Sequence, residues 1–115
     1  MAEVDYNAKP AYRDIEITKG DTFNKSYSVA VNGVAYDLTG TIIDMTIRDR
    51  LGVATKTLAS DGATPAITIY SNTYTIATAA FAIVGIYKYD VQLTEGTIIT
   101  TFQKGNILVT DEITT

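Results

Sequence analysis

One stretch constrains this chain more than any other: Gly85-Ile86-Tyr87-Lys88-Tyr89-Asp90-Val91-Gln92-Leu93. Large apolar residues at 87, 89, 91 and 93 alternate with polar ones at 88, 90 and 92. A period of two belongs to a strand with one face buried and one face wet. The stretch runs into Thr94-Glu95-Gly96, a turn, and then into a second strand-like run from Thr97 to Gln103.

The alternation recurs along the chain. Ile15 and Ile17 begin the first regular strand, closed by Lys19-Gly20-Asp21. Asn32-Gly33 is a two-residue type I′ hairpin signal. It predicts three facing pairs, Val31/Val34, Val29/Tyr36 and Tyr27/Leu38, with Asp37-Leu38-Thr39-Gly40 ending the hairpin. Ile43, Met45 and Ile47 alternate with Asp44, Thr46 and Arg48. Ala54 to Leu58 reads as a weak strand, and Ser60-Asp61-Gly62 with Pro65 as a loop. Ile67 to Ile76 reads as a hairpin about Ser71-Asn72, pairing Ile69 with Tyr74 and Ile67 with Ile76. Ala77 to Val84 is read as a crossover between sheets. Lys104-Gly105-Asn106 is read as a turn before a last strand through Ile107 and Val109. About eight or nine short strands at roughly 8–12-residue spacing predict a sandwich or barrel.

A length of 115 residues predicts one domain. Apolar residues make up 46% and charged ones 19%, the balance of a globular chain. The net charge is −4, and the nine Lys and Arg are scattered, which argues against sequence-independent binding of nucleic acid. No apolar run approaches the roughly 20 residues of a membrane-spanning helix. There is no His and no Cys. That removes the usual zinc and copper ligands and the usual bases for a nucleophilic Ser or Thr. The pairs Asp14/Glu16 and Asp111/Glu112 lack the spacing of a calcium loop. No Ser-x-x-Lys and no glycine-rich phosphate loop occurs. No catalytic residue, metal or cofactor is therefore expected.

Eight tyrosines stand out. Tyr27, Tyr36, Tyr74, Tyr87 and Tyr89 fall on predicted inward faces, where a ring packs and its hydroxyl finds a partner. Tyr6 and Tyr12 do not. With Pro10 and Arg13 they belong to residues 1–14, a polar segment read as an extended arm ahead of a domain of residues 15–115. Such a segment frays unless something holds it. The expectation is that it docks on a neighbouring chain, with Tyr6, Pro10, Tyr12 and Arg13 as the protein interface. The alternative is that it folds back onto its own sheet.

Several motifs together suggest a family. They are Lys19-Gly20-Asp21-Thr22-Phe23, Tyr36 to Gly40, the alternating 43–48, Gly85 to Leu93, Thr94-Glu95-Gly96, Thr101, Lys104 to Val109 and Glu112-Ile113-Thr114. Over residues 15–114 the chain resembles the small immunoglobulin-like domains of tailed-bacteriophage virion proteins. These include the N-terminal domain of baseplate upper proteins and related fibre-attachment and head-decoration domains. The resemblance implies an all-β, immunoglobulin-like antiparallel sandwich of about 7–9 strands with an N-terminal arm. A buried tyrosine entering the Gly85 strand should tie it to the preceding loop. The resemblance also implies a non-enzymatic structural role in the virion, with other virion proteins as partners and several copies per assembly. Baseplate upper proteins continue into a stem, whereas this sequence stops at Thr115, so head and tail positions are both expected. The alternative from another class is a carbohydrate-binding β-sandwich module, which would show a planar platform of exposed aromatic rings.

Overall fold

Alternating strands bury one face only if a second layer covers it, and here two sheets cover each other. The computed structural model describes residues 2–6, 10–61, 65–78 and 84–111. Among these are eleven strands: β1 (Ala2–Tyr6), β2 (Ala11–Tyr12), β3 (Ile15–Thr18), β4 (Phe23–Val31), β5 (Val34–Ala35), β6 (Ile42–Arg48), β7 (Ala54–Ala59), β8 (Ile67–Tyr70), β9 (Thr73–Thr78), β10 (Gly85–Glu95) and β11 (Ile98–Thr110). The first sheet runs β1-β4-β9-β8, with β5 also on β4. The second runs β2-β11-β10-β6-β7, with β3 also on β11. The fold is the all-β sandwich expected.

The core follows the alternation. Ile43, Met45, Ile47 and Val91 are fully buried, and Tyr87, Tyr89 and Leu93 nearly so, on facing strands of the second sheet. Phe23, Tyr27, Val29, Ile67, Tyr74 and Ile76 come from the first sheet. Tyr74 joins the layers: its ring stacks on Tyr27 at 5.5 Å and meets Phe102 edge-on at 5.7 Å. Such aromatic pairs stabilise by about 0.5–1.5 kcal/mol beyond the area they bury.

The two expected tight hairpins form. Asn32 (φ 52°) and Gly33 (φ 80°) both occupy the left-handed region of a type I′ turn. Val31 pairs with Val34, Tyr36 donates its N–H to the Val29 carbonyl, and Ile69/Tyr74 and Ile67/Ile76 pair as expected.

Four expectations need correction. Tyr27 pairs with Tyr74, not Leu38, because β9 takes the edge of β4 from Phe23 to Ser28 and the hairpin partner peels away after Ala35. Lys104-Gly105-Asn106 is no turn; β11 runs unbroken through it. The sheets are not purely antiparallel, since β1 pairs parallel with β4 and β2 and β3 pair parallel with β11. Residues 2–6 and 11–12, expected on a neighbour, are strands of the chain's own two sheets, the fold-back arrangement. Extended backbone beside an open edge satisfies its own amides there. The crossover read over residues 77–84 and the terminal Glu112-Ile113-Thr114 lie largely or wholly outside the described residues.

Candidate docking surface

The segment from Pro10 to Asp14 crosses β11 at its one glycine. A Cβ on Gly105 would stand 2.7 Å from the Arg13 carbonyl carbon and inside contact distance of its oxygen, with Tyr89 Cε1 at 3.2 Å. Only a residue without a side chain lets the two backbones approach so closely. The approach is fastened on all sides. Arg13 N–H donates to the Lys104 carbonyl (2.9 Å), Asn106 N–H to Asp14 Oδ1 (3.0 Å), and Asn106 Nδ2 to the Tyr12 hydroxyl (2.9 Å). Tyr89 donates its hydroxyl to the Arg13 carbonyl at 2.6 Å.

That tyrosine corrects the expected tie. Tyr89 reaches the N-terminal segment rather than the loop before its own strand. Its oxygen also accepts a hydrogen bond from Gln103 Nε2 at 2.9 Å, while Tyr74 donates to Gln103 Oε1. Gln103 also hydrogen-bonds Tyr27. Gln103 is fully buried, the one polar residue so placed among those described. A chain of hydrogen bonds therefore runs from β9 through β11 and β10 to Arg13, linking both sheets to the N-terminal segment. Burial pushes the Tyr74, Tyr89 and Tyr27 hydroxyls above the usual tyrosine range, so all three are neutral; Tyr74 and Tyr89 act as donors. Among the described residues no buried side-chain nitrogen or oxygen lacks a partner.

The four residues singled out from sequence do not form one patch. Tyr12 is exposed on the second sheet, and the Arg13 side chain is exposed beside it. Pro10 is half-buried. Tyr6 ends β1 on the first sheet, opposite Val31. It lines an apolar cleft of about 210 Å³ with Val29, Val31, Tyr36, Leu93, Thr100 and Phe102, where the two sheets part. Tyr36 closes one side of that opening by donating to Glu95.

Sequence reasoning missed the outer face of the second sheet. Arg48 and Lys88 stand directly opposite each other on β6 and β10, and Lys104 follows one row on. Like charges in facing positions are unfavourable. Neither residue forms an ion pair with a described residue, whereas Lys19 lies 3.9 Å from Asp111. Asp44 lies four residues before Arg48 on the same strand, and partial burial and nearby Asp61 push its carboxyl up. The register of β6 against β10 would have revealed this face, but register is not local information. No cluster of three or more acidic residues suited to a metal ion occurs among the described residues.

No family model matches the chain, and no curated protein matches it. Among solved structures it is similar to the N-terminal domain of phage TP901-1 ORF48, with a TM-score of 0.57 at 12% identity. The likeness covers 95% of this chain and 97% of that one. At this identity the two share a fold.

Proposed function

We propose that this chain is a structural domain of a tailed-phage particle, a tail, baseplate or head accessory module without enzymatic activity. It works by contact with other virion proteins. The observation that carries the reading is the likeness to a phage domain over nearly the whole length of both chains. Fold alone does not assign function, so the surface must add to the argument. The exposed apolar side chains Leu51, Val84 and Ile86 line one shared surface cleft, which suits a partner protein. Tyr6, Pro10, Tyr12 and Arg13 remain the proposed contact residues of the N-terminal segment, reached by a partner from the rim of the sandwich.

The rival reading, a sugar-binding module, needs two or three rings in one plane. Among the described residues the exposed aromatic side chains are Tyr12 and Tyr70, on different sheets. That arrangement favours protein contact. The test is mass spectrometry and antibody labelling of purified particles from the phage that encodes the chain. The protein is expected in fixed copy number at one particle location. Its absence from purified particles, together with specific retention on a glycan array, would overturn the proposal.

A further inference from the structure

A depression on the outer face of the second sheet gathers cations that the fold itself does not pair. Arg48 of β6 and Lys88 of β10 stand side by side in register, both exposed. Lys104 of β11 lies diagonally from Lys88, next to Tyr12 of β2 and one row from Asn106. All of them, with Asp90, line one depression of about 420 Å³. Asn106 Nδ2 donates to the Tyr12 hydroxyl, so Tyr12 accepts there and keeps its own proton to donate. Asp90 is the acid of this depression and faces Lys104 in register. Arg48, Lys88 and Lys104 form no ion pair with a described residue, in a chain whose net charge is −4. Facing like charges cost stability. A sequence keeps such a conflict where function needs it.

We propose that this depression binds an acidic segment of a partner protein, whose carboxylates seat on Arg48, Lys88 and Lys104. Neighbouring strands lie about 4.8 Å apart, and alternate residues of one strand about 6.7 Å apart. On those spacings Lys104, two strands and one row from Arg48, is about 12 Å from it, with Lys88 between. An extended peptide puts residues i, i+2 and i+4 on one side over about 13 Å. Acids at alternate positions therefore span the site, the outer two on Arg48 and Lys104 and the middle one on Lys88. Arg48 can hold its carboxylate through two parallel N–H bonds, and Tyr12 adds a hydroxyl donor beside Lys104.

The surroundings narrow the choice of ligand. Along the strands the cations are bounded by acids on both sides. Asp44 lies one row beyond Asp90, with Asp61 near it. On the other side Asp14 holds the Asn106 N–H, and exposed Glu16 stands opposite Leu108. A nucleic-acid backbone laid along the strands meets repulsion at both ends and finds too few cations to hold it. A short acidic segment crossing the strands avoids both boundaries. The inference deepens the proposed contact with virion proteins and rests on that reading for taking the partner to be a protein. Binding is read on the free chain, so it can fail while the chain is still found on particles.

The test is a titration of the full, isotope-labelled chain with a synthetic peptide that alternates glutamate and serine, read from the amide NMR signals. At about 0.05 M salt the signals of Arg48, Lys88, Lys104 and Tyr12 are expected to shift along one binding curve, and affinity should fall at about 0.5 M salt because exposed charges are screened. Arg48→Gln with Lys88→Gln should weaken binding at least about threefold, through the loss of two exposed charge pairs. The same variant should melt no lower than wild type, because it relieves the facing cations; a lower melting temperature would show that they serve the fold and would overturn the premise. Lys104→Gln alone should also weaken binding, and it decides the matter if the double variant misfolds. Absence of shifts up to about 10 mM peptide overturns the proposal. So does equal binding of the peptide with glutamine in place of glutamate, or an affinity that neither variant reduces. Tighter binding of duplex DNA or inorganic phosphate would assign the depression to a phosphate ligand, and the same shifts on concentrating the chain alone would assign it to a second copy; either result overturns the proposal.

Discussion

Replacing Gly105 by alanine is the sharpest test of how the N-terminal segment is built in. Gly105 sits in a strand with ordinary backbone angles, since it is not among the glycines with positive φ. On propensity alone Gly105→Ala should stabilise the protein by about 0.5–1 kcal/mol. The structure predicts the opposite sign. The new methyl would overlap the Arg13 carbonyl, which is backbone and cannot rotate aside. Relief requires residues 12–14 to lift off β11. Overpacking of this kind costs about 1–3 kcal/mol. Lifting also removes the acceptor of the buried Tyr89 hydroxyl, a further ~1–3 kcal/mol for a donor left unpaired. Set against the propensity gain, the net loss is about 2–4 kcal/mol. For a chain of this size that lowers Tm by roughly 8–16 °C. Urea denaturation gives the free energy directly, with the m-value reporting whether the same surface is exposed. A variant as stable as wild type, or more stable, would refute the close approach of Arg13 to β11.

Three further outcomes are expected. Gln103→Leu keeps the volume but strips the shared partner from Tyr74 and Tyr89, and should cost about 2–4 kcal/mol by chemical denaturation; a neutral result would show that the hydroxyls find other partners. Tyr74, Tyr89 and Tyr27 have pKa values raised by burial, so their neutral forms contribute in full below about pH 10, where unfolded tyrosine titrates, and the contribution is lost as pH rises above it. Unfolding free energy should therefore hold level through neutral pH and fall beyond pH ~10, while absorbance shows a subset of tyrosines ionising only on unfolding; phenols that all titrate together near 10 would contradict their burial. Deleting residues 1–12 removes β1 and β2 and the Tyr6 ring, and should lower stability by about 2 kcal/mol, roughly 8 °C in Tm. An unchanged melting temperature would restore the reading of these residues as a free arm.

What was legible in the sequence was local. Asn32-Gly33 declares its turn because a two-residue hairpin needs positive φ at both positions, and few residues supply it. Ile43, Met45 and Ile47 declare a buried face because the pleat repeats every two residues. Gly105 could not be read this way. A glycine needed for a turn and a glycine needed for a close backbone approach look alike, and the neighbouring Lys and Asn favoured the turn. The parallel pairing of residues 2–6 and 11–18 was invisible for a related reason. Their partners lie at 27–31 and 103–110, and no local pattern encodes a partner so distant. Gln103 broke the alternation because Phe102 and Gln103 both face inward where the ladder of β10 and β11 shifts register. The facing cations Arg48 and Lys88 on the outer face depend on the same long-range register.

The division of the first eighteen residues between two sheets has a consequence in time. β1 lies on β4, a partner about 25 residues downstream, whereas β2 and β3 lie on β11, about 92 residues downstream. On a ribosome working at roughly 5–20 residues per second, β2 and β3 wait about 5–18 s for the strand they need. Through that interval Tyr12, Arg13 and Ile15 have no groove to enter, and the Tyr89 hydroxyl that will hold Arg13 does not yet exist. Closure of the sandwich thus waits until β11 has been made, and its rate is set by a contact between strands about 92 residues apart. A waiting segment on one nascent chain can be captured by the completed β11 of another, so crowding on a polysome decides whether each clasp closes on its own domain or on its neighbour's.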